Sequence, residues 1–219
     1  DRPPRAYRNR DFCWWLGVLG EWDAAVMKPG REHVTIAVSG AHGGHTVDFR
    51  GLAHRGMTLV GLTQSFNNGV VTFQTDLADN LARGDANYLS LLDAADAYVE
   101  RNGLDLPLEP EARTTFPEPA CVSQPLRELD LASAGVTTII WATGFAPDYS
   151  WLEVDTFDAN GKPRHQRGVS AESGIYFLGL PWQSRRGSSF IWGVWHDAKY
   201  IADHIATQRQ YLAYRDAFR

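Results

Sequence analysis

The sequence is poor in cysteine, carries no excess of positive charge and contains no long apolar run. Cys13 and Cys121 are the two cysteines in 219 residues. They cannot build a disulfide framework or a four-ligand zinc site. Asp and Glu outnumber Lys and Arg, 26 to 21, for a net charge of −5. That balance argues against nucleic acid as the main partner, because phosphate binding needs a concentrated basic surface. No apolar run approaches the roughly 18 residues that cross a bilayer. Residues 1–10 are polar and rich in arginine, unlike a signal peptide. The expectation is a cytoplasmic protein without a membrane span. What is present fits a globular chain: 44% of residues are hydrophobic and 21% charged. The length suits one large domain or two small ones, with enough chain to bury a core. The chain starts at Asp1 rather than Met, which raises the expectation of an incomplete translation product, and it holds 8 Trp.

Apolar residues at 12, 15, 16 and 19 have helical spacing, and Asp11 is placed to cap that helix. Residues 34–38 read as a strand, 39–44 as a tight turn, 47–55 as a helix closed by Gly56, and 57–62 as a second buried strand. This order predicts a βαβ unit with a parallel sheet. A third strand is expected at 69–73. Residues 77–102 keep a helical period through Leu89, Leu92, Ala95 and Val99, and Gly103 ends it. Five prolines between 107 and 125 forbid a long helix there and mark a boundary. Residues 136–142 are apolar and β-branched, as in a strand buried on both faces. A polar turn with Asn160-Gly161 follows, then a strand at 175–178 and a last helix over 197–215. The expected organisation is 1–75, 76–130 and 131–219.

Several catalytic motifs are missing. There is no G-x-G-x-x-G, no G-x-x-x-x-G-K-[ST], no H-E-x-x-H and no G-x-S-x-G. In the turn at 39–44, Val38 sits where the first glycine of a dinucleotide fingerprint belongs. A packing turn and a phosphate site both stay open there. His42, His45, His196 and His204 lack Cys or carboxylate companions at ligand spacing, so no metal site is expected. Cys121, in a proline-rich loop, reads as an inert thiol. The segments 141–145 and 179–198 are strand ends leading into glycine-bearing loops, where ligands of open α/β sheets gather. Gly193 opens a helix whose N-terminus offers free N–H groups to an anionic ring edge. Arg185 and Arg186 suit a phosphate or an acidic side chain. Trp182, Trp192 and Trp195 read first as core, while the glycines between them admit a planar ligand.

Trp141-Ala142-Thr143-Gly144-Phe145 resembles the A-T-G-[FY] signature of flavin-dependent monooxygenases. Residues 174–182 are similar to the strand before the flavin-contacting loop of that family. Arg186-Gly187-Ser188-Ser189, Gly193 and Asp197-Ala198 resemble its closing loop and C-terminal helix. Residues 4–11 with Trp14-Trp15, and residues 38–44, resemble a bacterial branch labelled as flavoproteins involved in potassium transport. The resemblance implies an α/β chain with Rossmann-like parallel sheets, part of a flavoprotein with two dinucleotide-binding domains. The fingerprint loops for FAD and NADPH are absent, so the chain corresponds to the C-terminal half. Residues 1–75 would then be the later part of the NAD(P)H domain, 76–130 a helical segment and proline-rich connection, and 131–219 the closing part of the FAD domain.

The same resemblance implies an FAD-dependent, NAD(P)H-consuming monooxygenase that oxygenates a small organic substrate with O₂ through a flavin C4a-hydroperoxide. The cofactor contacts it implies are Thr143, Gly144, Phe145, Gly179, Leu180, Pro181, Ser189, Gly193 and Val194. No catalytic acid or base is singled out, since the cofactor carries the hard chemistry. Arg5, Arg8 and Arg10 fall near the expected position of an NADPH 2′-phosphate, or form a solvated basic face. The expected partner is the N-terminal half of the same flavoprotein, with a homo-oligomer as a further expectation. Two other readings stand beside this one: a flavin-dependent reductase that does not oxygenate, and a non-catalytic remnant module.

Overall fold

The computed structural model describes residues 3–25 and 36–217. They form mixed α/β structure with small antiparallel sheets, divided into two compact units. The first unit takes residues 1–15 and 35–144, the second 16–34 and 145–219.

The first unit opens with a hairpin of β1 (Ala6–Tyr7) and β2 (Arg10–Asp11). Its turn residues, Arg8 and Asn9, take φ of 50° and 57°. That left-handed pair matches the twist of a two-residue hairpin. The Asp11 carboxylate accepts the Cys13 N–H at 2.8 Å, at the start of α1 (Phe12–Val18). Trp15 is fully buried. Its indole N–H donates to the Tyr7 carbonyl at 2.9 Å, and its ring meets Trp14 and Tyr98 edge-on.

The expected parallel βαβ unit does not form among the described residues. Residues 34–35 lie outside them. β3 (Val38–Ser39) pairs antiparallel with β4 (His45–Thr46). His42, Gly43 and Gly44 all take positive φ and reverse the chain within five residues. A parallel pair needs a crossover of a dozen or more residues, so this turn permits only antiparallel pairing. α2 (Phe49–His54) follows, capped by the Asp48 carboxylate, which accepts the Gly51 N–H at 2.9 Å. Residues 57–62 form no strand. Leu59 instead packs on Leu77 and Leu81. At Gly61 a Cβ would stand 2.1 Å from the Gln74 carbonyl oxygen.

β5 (Thr63–Asn67), β6 (Val70–Phe73) and β7 (Glu128–Asp130) make an antiparallel sheet in that order. Asn68 and Gly69, both at positive φ, form its two-residue turn. The long helix is as expected: α3 spans Leu77–Asn102 and buries Leu77, Leu81, Tyr88, Leu92, Ala95 and Val99. Gly103, at φ 59°, closes it by donating its N–H to the carbonyls of Val99 and Glu100. Beyond it lie a 3₁₀ turn at Pro110–Arg113 and α4 (Ala120–Ser123). Asp96 on α3 gathers the Tyr7 hydroxyl, the Arg8 guanidinium and the Arg113 guanidinium, all within 3.1 Å.

The expected strand at 136–142 is also missing. These residues are exposed and belong to no ladder. Apolar, β-branched sequence is not enough without a neighbouring edge to supply hydrogen bonds.

In the second unit, β8 (His165–Gln166) pairs with β9 (Val169–Ser170) around Arg167 and Gly168, both at positive φ. The Asn160-Gly161 turn is present, with Phe157 bridging Pro163. The expected strand at 175–178 shrinks to one bridge, between Tyr176 and Val169. The last helix, α5, runs Val194–Asp216 and buries only Asp197 and Ile201.

Candidate functional site

Thr143 and Gly144 are exposed at the end of the first unit. The other residues expected at a cofactor, Phe145, Gly179, Leu180, Pro181, Ser189, Gly193 and Val194, belong to the second unit. Phe145 is fully exposed. Gly179 takes φ 85°, and a Cβ there would meet nothing within 4 Å. Backbone conformation, not crowding, is therefore what demands glycine at 179. Gln183 ties the turn together. Its main-chain N–H donates to the Leu180 carbonyl, and its side-chain oxygen accepts the Leu180 N–H, both at 3.2 Å. Trp182, in the middle, takes φ 55°.

The loop that follows is pinned by charge. A 3₁₀ turn covers Arg186–Ser189. The Ser188 hydroxyl, fully buried, accepts the N–H groups of Ser184 and Arg185 at 3.1 Å. Arg185 donates to Asp23 at 2.7 Å and Arg186 to Glu21 at 2.5 Å. Of the two partners the sequence allowed these arginines, they take the acidic side chains. Gly187 and Gly193 serve a close backbone approach. A Cβ on Gly193 would stand 2.5 Å from the Gly187 oxygen, and one on Gly187 would stand 2.9 Å from the Trp22 oxygen.

The start of α5 is less free than expected. The Val194 N–H donates to the Phe190 carbonyl at 2.9 Å and the His196 N–H to the Gly193 carbonyl. The first turn also carries its own anion. Asp197 is fully buried, with Oδ1 3.4 Å from the Arg167 guanidinium and Oδ2 without a hydrogen-bond partner among the described residues. Burial pushes its carboxyl upward, but Ser184, Ser188 and Arg167 outweigh that and hold it below the usual range. A carboxylate here also meets the positive end of the helix. Neither Asp197 nor Arg167 was legible as a site residue. The Asp197–Arg167 pair spans 30 positions, and no motif announces it.

The two loops also expose apolar side chains. Leu178, Ile191, Trp192 and Trp195 are exposed, Ile191 by 82%. The Trp182 indole N–H is buried and has no partner among the described residues. These features fit one part of a flavin cofactor, its planar ring. They do not fit a pyrophosphate, because both loop arginines already hold acidic side chains. The NADPH 2′-phosphate fares no better. Arg8 is 7% exposed and fully engaged with Asp96 and the carbonyls of Leu106 and Pro107. Arg5 pairs with Asp11, and Arg10 lies over the Trp14 ring. Of these three arginines, Arg8 is thus an internal anchor, Arg5 is half-buried and Arg10 stays exposed. Among the described residues no group of three or more His, Cys, Asp or Glu is placed to hold a metal ion, and no helix is long and apolar enough to cross a membrane.

No family model matches the sequence, and no solved structure matches it. Over 77 residues the chain is 53% identical to a protein of Geobacillus kaustophilus named uncharacterized oxidoreductase CzcO-like. Over the same length it is 51% and 47% identical to proteins named uncharacterized oxidoreductase CzcO, from Bacillus velezensis and Bacillus subtilis. Each match covers 35% of this chain and 22% of the relative, so the chain spans about a fifth of the length of the curated relatives it matches.

Proposed function

We propose that the chain is an oxidoreductase component, the C-terminal portion of an FAD-dependent, NAD(P)H-consuming monooxygenase acting on a small organic substrate. The observation that carries the reading is the identity of about one residue in two, over 77 residues, to proteins named oxidoreductases. The apolar loops around Gly179 support its flavin part.

Bound FAD would supply hydride acceptance and activation of O₂. The chain's own share is to bind and exclude water. Gly179 keeps the backbone open toward a planar ring. Leu178, Ile191, Trp192 and Trp195 offer the apolar surface that such a ring would cover, worth roughly 25 cal/mol per Å² removed from water. The Trp182 indole N–H is the donor left for a ring acceptor. Arg185–Asp23, Arg186–Glu21 and the Gly187–Gly193 contact fix the loop, so little ordering is left for binding. Phosphate recognition falls to the N-terminal portion of the same flavoprotein, and no step through NADPH is assigned to residues of this chain.

The test is an FAD titration followed by flavin fluorescence, on the chain alone and on the longer polypeptide. Trp192→Ala and Trp195→Ala each weaken binding about tenfold, the worth of one lost aromatic contact. FAD that binds neither polypeptide, or binds both variants as tightly as the parent, defeats the flavin reading. Labelled O₂ then separates oxygenation from plain reduction, by whether label enters the product.

A further inference from the structure

The second unit also carries an open cleft of about 390 Å³, lined by the β8–β9 hairpin and by α5. None of its residues belongs to the loops assigned above to the flavin. Its polar lining is Arg164, His165, Gln166, Ser170 and His204, and it includes no Asp or Glu. Such a cleft presents hydrogen-bond donors, and no carboxylate belongs to its lining.

The donors can be followed nitrogen by nitrogen. Arg164 gives Nη2 to Asp155, at 2.7 Å to the carbonyl and 2.6 Å to the carboxylate. Its Nε and Nη1 have no protein partner among the described residues. The Asp155 side chain is 91% exposed, so water screens that pair and it competes weakly with a ligand. His165 accepts the Gly168 N–H on Nδ1 at 3.0 Å. Nδ1 is therefore bare, and Nε2 carries the proton. Burial pushes this imidazole down from its ordinary value and keeps that neutral tautomer at pH 7. The turn that presents it is closely packed. Gly168 sits at φ 88°, and a Cβ there would fall 2.2 Å from the Gln183 amide nitrogen. His204 Nδ1 lies 3.3 Å from the Tyr176 hydroxyl; with that hydroxyl donating, Nε2 carries the proton for a ligand. The rest of the wall is apolar: Val169, Ala171 and the Tyr200 ring, the last held by the Arg167 guanidinium 4.4 Å from its centre.

We propose that this cleft binds a small organic carboxylate, with the carboxylate on Arg164, His165 and His204 and the apolar body against Val169, Ala171 and Tyr200. The planar guanidinium fork matches a carboxylate in geometry. The volume lies at the low end of the roughly 300–1,000 Å³ typical of ligand pockets. A single guanidinium, already shared with the solvated Asp155, and an apolar wall suit an organic monoanion better than a phosphate dianion.

Benzoate is the probe, titrated without FAD into the full chain at pH 7 and followed by the amide NMR spectrum. The expected result is saturable shifts at residues 164–171 and 200–204 below about 10 mM, a modest affinity for so few contacts. Arg164→Gln weakens binding at least about tenfold through the lost charge-assisted bonds. Ala171→Trp, which fills the cleft and leaves its charges, abolishes it. If Ala171→Trp does not fold, Arg164→Gln decides, because its side chain is exposed and its partner is solvated. Absence of saturation, shifts elsewhere in the chain, unchanged affinity in Arg164→Gln, or tighter binding of inorganic phosphate than of benzoate would each overturn the proposal. Because FAD is absent throughout, the outcome is independent of the flavin reading.

Discussion

Two apolar, β-branched runs meet opposite fates in this molecule. Val70–Phe73 is paired on both sides, with Thr63–Asn67 and with Glu128–Asp130, and it buries Phe73 to 6% exposure. Residues 136–142 are likewise apolar and β-branched but have no ladder. Ile139, Ile140 and Trp141 are 52%, 84% and 80% exposed. Strand propensity is a preference for a pleated, half-buried surface, so it is realised only where an edge receives it. Where no edge does, the same residues become apolar area held in water and an invitation to association. The difference between the runs lies in their neighbours, not in their residues.

The most direct way to break this comparison is to truncate one side chain in each run. Phe73→Ala removes a buried ring from the paired sheet, at a cost of about 3–5 kcal/mol. Ile140→Ala stays within about 0.5 kcal/mol, since almost nothing is lost. Urea midpoints of the two variants measure the contrast. Similar losses at both positions would show that 136–142 is as well packed as the sheet.

A second, smaller effect uses pH. Asp96 ties α3 to the opening hairpin through Tyr7 and Arg8, and to the proline-rich stretch through Arg113. Burial pushes its carboxyl upward, but the donors from Arg113, Tyr7 and Arg8 prevail and hold it below its ordinary value. A depressed folded value means the group stabilises fully above the unfolded value, about 3.9. That contribution is lost as pH falls through the folded value. Asp96→Asn should cost about 1–3 kcal/mol at pH 7, chiefly by stranding the buried Arg8 guanidinium. The deficit should shrink toward pH 3. Residues 136–142 contain no titratable side chain, so Ile140→Ala should show the same small effect at both pH values. Urea unfolding at pH 7 and pH 3 measures both.

The contrast also marks what the sequence could disclose. Helical period carries its own partner, the next turn, so α3 and its Gly103 stop were readable in full. The Asn68-Gly69 hairpin was half readable. Its second strand was expected, but β7, which completes the sheet from 60 positions away, was not. The choice of antiparallel over parallel pairing at 38–46 turned on His42 entering the left-handed region, which nothing in a histidine announces. Arg8 did the same in a turn without glycine, and its burial turned an apparent basic face into an internal anchor. In the second unit the glycines were readable as glycines, but not for what they do. Gly179 answers to backbone angle, while Gly187 and Gly193 answer to each other. Arg164, His165 and His204 come together only because a closely packed hairpin turn lies beside a helix, a placement that no local spacing encodes.

The finest probe of the comparison is a single methyl group. Gly103 and Gly144 both take positive φ, 59° and 88°, and a Cβ at either would meet nothing within 4 Å. Any cost of alanine is therefore backbone strain alone, about 1 kcal/mol where the conformation is enforced. At Gly103 it is enforced, because the N–H must reach the carbonyls of Val99 and Glu100 while Val99 is buried. Gly103→Ala should lower the melting temperature by about 2–4 °C for a chain of this length. Gly144 lies among exposed residues outside any ladder, so its neighbours can shift to relieve an alanine. Gly144→Ala should leave melting within about 1 °C of the parent. An equal drop at both would mean that the segment around 144 is held as firmly as a helix cap, and that the unpaired run owes its conformation to more than the lack of a neighbour.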